Sequence, residues 1–396
     1  MLFKKNELRL LWPFYLNQLI YGLSTMIFPF LIVYFKNLGF SYFQISIITS
    51  VYGFSMFLFE IPTGAFADGF SRKYSVVLGF FIVSISVSCI PFLYNFYLII
   101  CFWILTGMGM TFISGAQEAW VIDKLNKEIR NDLRQEYFIK SSCCISFGAI
   151  FAPIIGSILV KGYSVKILWF GFGLGFFLNA IFTLLFSKEQ FESRQLKPAA
   201  LVKKSFHKSK IGLFFSLRYK AIFLFIIAGL FTQFMFMGSI GMQPFLLNLG
   251  MKEHQLGYVY SGAATIGIVM SFLSRLFGNH KPQLVMSVVI LINVLLLFSL
   301  IFISPPFYLV AALILIMNSG VYSFGAPLIQ TYFHKFIPER IRATVLSTKS
   351  MLDQLAIALS SLIAGAGMDL FGPQKVLAFG GLFGIIALVA YKKIRD

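Results

Sequence analysis

The sequence predicts an all-α integral membrane fold, with twelve transmembrane helices in two six-helix pseudo-symmetric bundles, and three observations predict it. The first is composition. Of 396 residues, 58% are hydrophobic, 12% are charged and 48 are phenylalanine, whereas a soluble domain carries about a quarter charged residues. A globule of this size has too little interior to hide so much apolar surface, so lipid must be the solvent. The second is run length. Crossing the hydrocarbon as a helix takes about 20 apolar residues, and runs that long and continuous are helices rather than barrel strands. The third is the placement of charge, which separates one set of loops from the other.

Taken in order, the chain cut at charges and turn residues gives spans at 10–35, 42–66, 74–94, 97–122, 138–160, 166–187, 221–247, 255–277, 283–303, 307–333, 343–367 and 374–391. The first apolar run is too long for a signal-peptide core and lacks a small-residue cleavage site, so it reads as an uncleaved first helix. Tyr94-Asn95 and Ser304-Pro305-Pro306 are short hairpin turns between spans. An even number of spans puts both termini on one side. If that side is cytoplasmic, its segments hold 28 Lys/Arg, and the opposite loops hold only Lys36, Lys161, Lys166, Lys252 and Lys375. This is the positive-inside pattern of a cell membrane protein with both termini in the cytoplasm. The net charge of +18 is accounted for in this way, without a nucleic-acid partner.

The longest polar stretch, Ser187 to Lys220, carries nine Lys/Arg and Pro198. It divides the chain into a six-helix bundle at 1–187, a basic linker at 188–220 and a second bundle at 221–396, which suggests a parallel repeat. Residues 203–218 of the linker read equally as a helix lying on the anionic inner leaflet or as a solvated connection. Cys89, Cys101, Cys143 and Cys144 show neither metal-ligand spacing nor a disulfide framework. His207, His254, His280 and His334 fall in or near loops. No phosphate loop, metal site, cofactor motif or nucleophile with its base is found, so an enzyme is not expected.

Between spans 2 and 3 the chain reads Glu60-Ile-Pro62-Thr-Gly64-Ala-Phe-Ala-Asp68-Gly-Phe-Ser-Arg72-Lys73. This resembles the cytoplasmic loop motif of the major facilitator superfamily, Gly-x-x-x-Asp-Arg-x-Gly-Arg-Arg/Lys. Gly64, Asp68, Arg72 and Lys73 match, while Gly69 and Ser71 depart from the usual Arg and Gly. Ile337 to Thr344 looks like the corresponding loop of the second half, and Glu-x-Pro-x-Gly is similar to a set of bacterial, drug-efflux-like members. The resemblance implies the major facilitator fold and a latch. In that latch Asp68 meets the N-terminus of span 11, an anion at the positive end of a helix dipole, and Arg72 pairs with Asp123 at the end of span 4. The alternative is that these charges only mark the end of a span. Span 5 carries Gly148, Ala152, Pro153 and Gly156, similar to the family's antiporter motif but with two glycines replaced. Close helix packing around a proline kink explains it as well. Span 4 resembles the family's motif in its glycines but lacks its buried arginine, since Trp103 and Ile104 stand upstream.

Ionisable groups inside spans are costly, so each is a functional candidate. Depth ranks them. Glu118 lies about 13 Å from the middle of span 4, Glu60 and Lys349 lie about 9 Å out, and Asp353 only about 3 Å from the middle of span 11. Lys349 and Asp353 are one turn apart on one face, which continues through Ser360, Ala364 and Gly367. A carboxyl group opposed by low dielectric and supported by a neighbouring cation is suited to trading a proton. The alternatives are a static pair or one linking span 11 to span 2.

In the family resemblance, spans 1, 4, 7 and 10 line the cavity. Their polar residues here are Asn17, Gln18, Tyr21, Thr111, Glu118, Gln233, Gln243, Asn318 and Tyr322. With Met235, Met237, Met242 and several phenylalanines around them, such a cavity suits a neutral or lipophilic cation. The expected activity is secondary active transport of a hydrophobic or amphiphilic small molecule, exported by a monomer against inward proton flow. An importer or flippase for a metabolite, siderophore or lipid is the alternative, and a non-transporting receptor is the alternative of another class.

Overall fold

The computed structural model describes residues 3–189, 212, 214–277, 281–338 and 341–394. The basic stretch 190–211, with His207, therefore lies outside the described residues, as do His280, Glu339 and Arg340. Within the described residues, twelve helices are long and apolar enough to cross a membrane: α1 (Glu7–Asn37), α2 (Tyr42–Gly69), α3 (Arg72–Phe92), α4 (Phe96–Lys127), α5 (Asn131–Gly162), α6 (Lys166–Phe186), α7 (Lys220–Asn248), α8 (Glu253–Phe277), α9 (Pro282–Phe302), α10 (Tyr308–Lys335), α11 (Thr344–Phe371) and α12 (Pro373–Lys392). Each expected span has its helix. The helices overrun the apolar runs, most at α4 and α5, where α5 begins at Asn131 rather than near 138. Charge ends the hydrocarbon-matched part of a helix but not its hydrogen-bond ladder, so the polar first two turns of α5 remain helical.

Two helices are interrupted, and in the same way. α1 breaks into a 3-10 segment at Thr25–Phe30 and resumes at Leu31–Asn37. α7 breaks at Met237–Gly241 and resumes at Met242–Asn248. The repeat continues past both helices. Asn37-Leu38-Gly39 and Asn248-Leu249-Gly250 each end in a glycine with positive φ, 88° and 99°, a conformation glycine adopts without a Cβ penalty. Three residues into the following helix-start segment, the Gln44 side chain accepts from Ser41 N–H at 2.9 Å and Gln255 accepts from Lys252 N–H at 2.9 Å. Span 7 therefore repeats span 1 down to its cap, which is the parallel-repeat pattern expected from the two halves.

The chain forms two compact units, Met1–Phe28 with Phe54–Ser205, and Pro29–Gly53 with Phe206–Asp396. This division differs from one drawn only at the linker, because the end of α1 and the start of α2 are grouped with the second unit. Specific bonds tie them there. Gln243 Oε1 accepts from Ile32 N–H at 2.9 Å, and Ser50 Oγ donates to Ala358 O at 2.8 Å.

Within each unit, close helix approach is made by small residues, as expected where lipid supplies no hydrophobic contrast between helices. In the first unit α1 meets α5 at Gly22 and Gly148; a Cβ on Gly148 would stand 2.3 Å from the Gly22 carbonyl carbon. α3 meets α4 at Gly79 and Gly109, and Ser84 Oγ donates to Gly173 O on α6 at 2.8 Å. In the second unit α7 meets α12 at Gly238 and Gly380. Pro153 and Gly156 are buried inside α5, so the span 5 motif does contribute to close packing.

Candidate functional site

The loop motif folds into a charge cluster in the first unit. Arg72, at the start of α3, forms an ion pair with Asp123 on α4, donates to Ala119 O at 2.6 Å, and reaches Asp68 at 3.4 Å. The structure thus brings Asp68, Arg72 and Asp123 together. Arg72 is largely covered, whereas both aspartates are about half exposed. Lys73 takes a separate partner, donating to Leu184 O on α6 at 2.8 Å. Gly64 has open space where a Cβ would go.

Sequence reasoning missed two members of this cluster. Ser71, one of the departures from the family pattern, is the N-cap of α3 and accepts from Tyr74 N–H at 3.1 Å. Glu189, just past α6, accepts from the Ser71 hydroxyl, from Arg72 N–H at 2.9 Å and from Lys73 N–H at 3.1 Å. A carboxylate there satisfies unpaired first-turn N–H groups and the positive end of the α3 dipole. Glu189 sits more than a hundred positions from α3 in sequence, so no local pattern announces it.

In the second unit, Lys349 Nζ lies 2.5 Å from Asp353 Oδ2 on α11, with side-chain exposures of 27% and 19%. The i,i+4 pair is therefore formed. It passes against the backbone of α7 at Gly229, where an added Cβ would stand 3.5 Å from Asp353 Oδ1 and 3.8 Å from Lys349 Nζ. Tyr322 on α10 and Tyr391 on α12 lie within electrostatic reach of Asp353. Below the pair the same face carries Ser360 and Ala364, both buried, and Ala364 packs with Met237, Met368 and Val376. Glu60 and Glu118 are exposed and make no ion pair among the described residues.

The cavity candidates divide into two groups. Asn17 Nδ2 donates to Thr183 Oγ1 at 2.9 Å, and Thr111 Oγ1 donates to Met108 O at 2.7 Å. Asn318 Nδ2 donates to Asn293 Oδ1 at 2.8 Å, and Gln243 bridges Ile32 N–H and the Tyr260 hydroxyl. All four are buried; Asn17, Gln243 and Asn318 fasten helices to one another, while Thr111 bonds within α4, as low dielectric favours paired polar groups. Gln18, Tyr21, Gln233 and Tyr322 remain partly exposed. Gln18 neighbours the Tyr137 hydroxyl, and the rings of Tyr21 and Tyr322 lie edge-on to Phe176 and Phe236.

A further unforeseen cluster lies where α1 meets α5. The Glu7 side chain has 0% exposure and accepts from Lys140 Nζ at 2.6 and 2.7 Å, Tyr15 OH at 2.8 Å and Lys4 N–H at 2.8 Å. Lys140 also pairs with Glu136 at 3.1 Å.

Twelve lipid-length helices with such charged and polar groups among them are the build of a multi-pass membrane transporter. The chain belongs to the major facilitator superfamily, whose family model matches residues 14–361. It is similar to the uncharacterized MFS-type transporter YxaM of Bacillus subtilis, 26% identical over 410 aligned positions covering 97% of this chain and 96% of that protein. It is also similar to the multi-drug resistance efflux pump PmrA of Streptococcus pneumoniae, 25% identical over 290 positions covering 70% and 69%. Among solved structures, the nucleoside transporter NupG superposes with a TM-score of 0.78 at 14% identity over 99% of each chain. A bacterial homologue of the human lysosomal transporter Spinster, in an inward-facing conformation, gives 0.75 at 14% identity over 98% of this chain and 97% of that one. At such identities these structures speak for the fold alone.

Proposed function

We propose that the protein is a proton-coupled secondary transporter that exports a small hydrophobic or amphiphilic molecule by alternating access. It would act as a monomer in the cytoplasmic membrane, with both termini inside and its basic loops against the anionic leaflet. The observation that carries coupling is the Lys349–Asp353 pair on α11, partly exposed and one helical turn long. A titratable acid whose partner lies in the same helix can lose or gain a proton without breaking a contact between helices. The export direction draws on the likeness to a multidrug efflux pump and on cavity candidates that carry few charges.

The protein reconstituted in proteoliposomes, under an imposed proton gradient and across a panel of lipophilic cations and neutral amphiphiles, should move at least one compound against its gradient with proton movement in the opposite direction. Asp353→Asn, which keeps shape but cannot titrate, should abolish this uphill movement and spare downhill exchange. Uphill transport that survives in Asp353→Asn would place coupling elsewhere, with Glu118 and then Glu60 next. Proton and substrate moving in the same direction would make the protein an importer.

A further inference from the structure

The loop motif puts an acid, Asp68, near the end of α2, where the resemblance sets it against the first turn of α11. The structure holds the mirror of that arrangement at the other end of the same two helices. Asp369, near the end of α11, accepts from both Tyr42 N–H and Phe43 N–H, at 2.9 and 2.8 Å, with one carboxylate oxygen on each. These are first-turn donors with no acceptor inside their own helix, at the positive end of the α2 dipole. Both carboxylate oxygens of Asp369 are thus engaged by the helix end.

The contact is the end of a longer seam. Successive turns of α2 meet successive turns of α11 in reverse order. A Cβ on Gly365 would stand 2.2 Å from Ser46 Oγ and 2.7 Å from Tyr42 O, Ser50 Oγ donates to Ala358 O at 2.8 Å, and Gly53 faces the Gln354 side chain. Past Gly53 the remainder of α2 is grouped with the first unit. Both helices are 28 residues long, about 40 Å from end to end. Each therefore carries, near its C-terminus, an acid suited to the partner's N-terminus.

We propose that Asp369 is the positioning residue of a second clasp, on the face opposite the chain termini. It holds the first turn of α2 on α11 while that face is closed and releases it when that face opens, in alternation with Asp68 at the other end. The inference rests on the alternating-access reading. The contact is of suitable strength, because an exposed carboxylate cap shifts a balanced equilibrium by roughly five- to tenfold without locking it.

The test uses the full chain in lipid nanodiscs, with its four cysteines replaced and Ser50→Cys as a reporter buried in the α2–α11 seam. Asp369→Asn keeps the side-chain shape but loses the charge and one acceptor. Alkylation of the reporter by a membrane-impermeant maleimide should then quicken by roughly five- to tenfold. Hydrogen exchange at the Tyr42 and Phe43 amides should quicken with it. Asp369→Glu should restore slow alkylation, and Gly365→Ala, which wedges the seam without touching the carboxylate, should also quicken it. Faster amide exchange with unchanged alkylation would reduce Asp369 to a local helix cap and overturn the proposal, as would no change in either. Because no substrate or proton gradient enters the measurement, a negative result here leaves the export reading standing. A failed transport assay likewise leaves the clasp untouched.

Discussion

The substitution Asp68→Asn separates what the loop motif does for the fold from what it does for transport. Among the described residues of its own unit, Asp68 makes one ionic contact, to Arg72 at 3.4 Å, and is 54% exposed. An exposed i,i+4 pair of this kind is worth about 0.3–0.5 kcal/mol. Arg72 loses little without it, since Asp123 and Ala119 O still hold the guanidinium and Glu189 holds the backbone of the turn. The melting temperature of the purified variant should therefore fall by no more than about 2 °C. A latch that biases a two-state equilibrium behaves differently, because losing about 1.4 kcal/mol of bias changes a population ratio about tenfold. Transport measured in proteoliposomes should drop by about that factor or more, at unchanged insertion. Asp123→Asn, which removes the closer partner of Arg72, should lower stability more than Asp68→Asn does. Full transport in Asp68→Asn would leave the loop as a topological marker. A melting temperature lower by more than about 5 °C would show that Asp68 supports the fold, and that its effect on transport is indirect.

The other substitutions have outcomes set by local geometry. Lys140→Met strands the fully buried Glu7 carboxylate without its cation and should cost about 2–3 kcal/mol in a detergent unfolding titration, more than Glu7→Gln, which leaves Lys140 its second partner Glu136. The double variant should recover part of that loss. Gly148→Ala places a Cβ 2.3 Å from the α1 backbone and should destabilise by about 1–3 kcal/mol through overpacking. Gly64→Ala meets open space and should leave stability within about 0.5 kcal/mol of the parent by the same thermal measurement. Glu189→Ala removes the acceptor of three α3 donors and should cost about 1 kcal/mol, with faster hydrogen exchange confined to the first turn of α3.

What could be read from the chain and what could not follow a physical division. Lipid acts on every residue of a span alike, so helix number and type appear in composition and run length, and the Gly64–Lys73 loop follows from consecutive residues. Lys349 and Asp353 are legible for the same reason, since an i,i+4 pair needs only helical geometry. Helix ends are different. The first N–H groups of α2 and α3 are closed by Asp369 and Glu189, and the Glu7 carboxylate by Lys140, each partner more than a hundred residues away. No periodicity carries such pairings. The cavity candidates show the converse limit: Asn17, Thr111, Gln243 and Asn318 stand out as polar groups in apolar spans, yet each has a hydrogen-bond partner inside the protein, Thr111 within its own helix and the others across helices, because an unpaired polar group at that depth is costly. A fainter signal is the recurrence of Asn-Leu-Gly after spans 1 and 7 with a glutamine five residues past each glycine. Three or four matching letters fall below what repeat detection needs, yet both glycines adopt positive φ and both glutamines cap the next helix. The two halves thus keep the same geometry at the turn after their first helix, and in the second unit Asp369 closes the first turn of α2 that follows it.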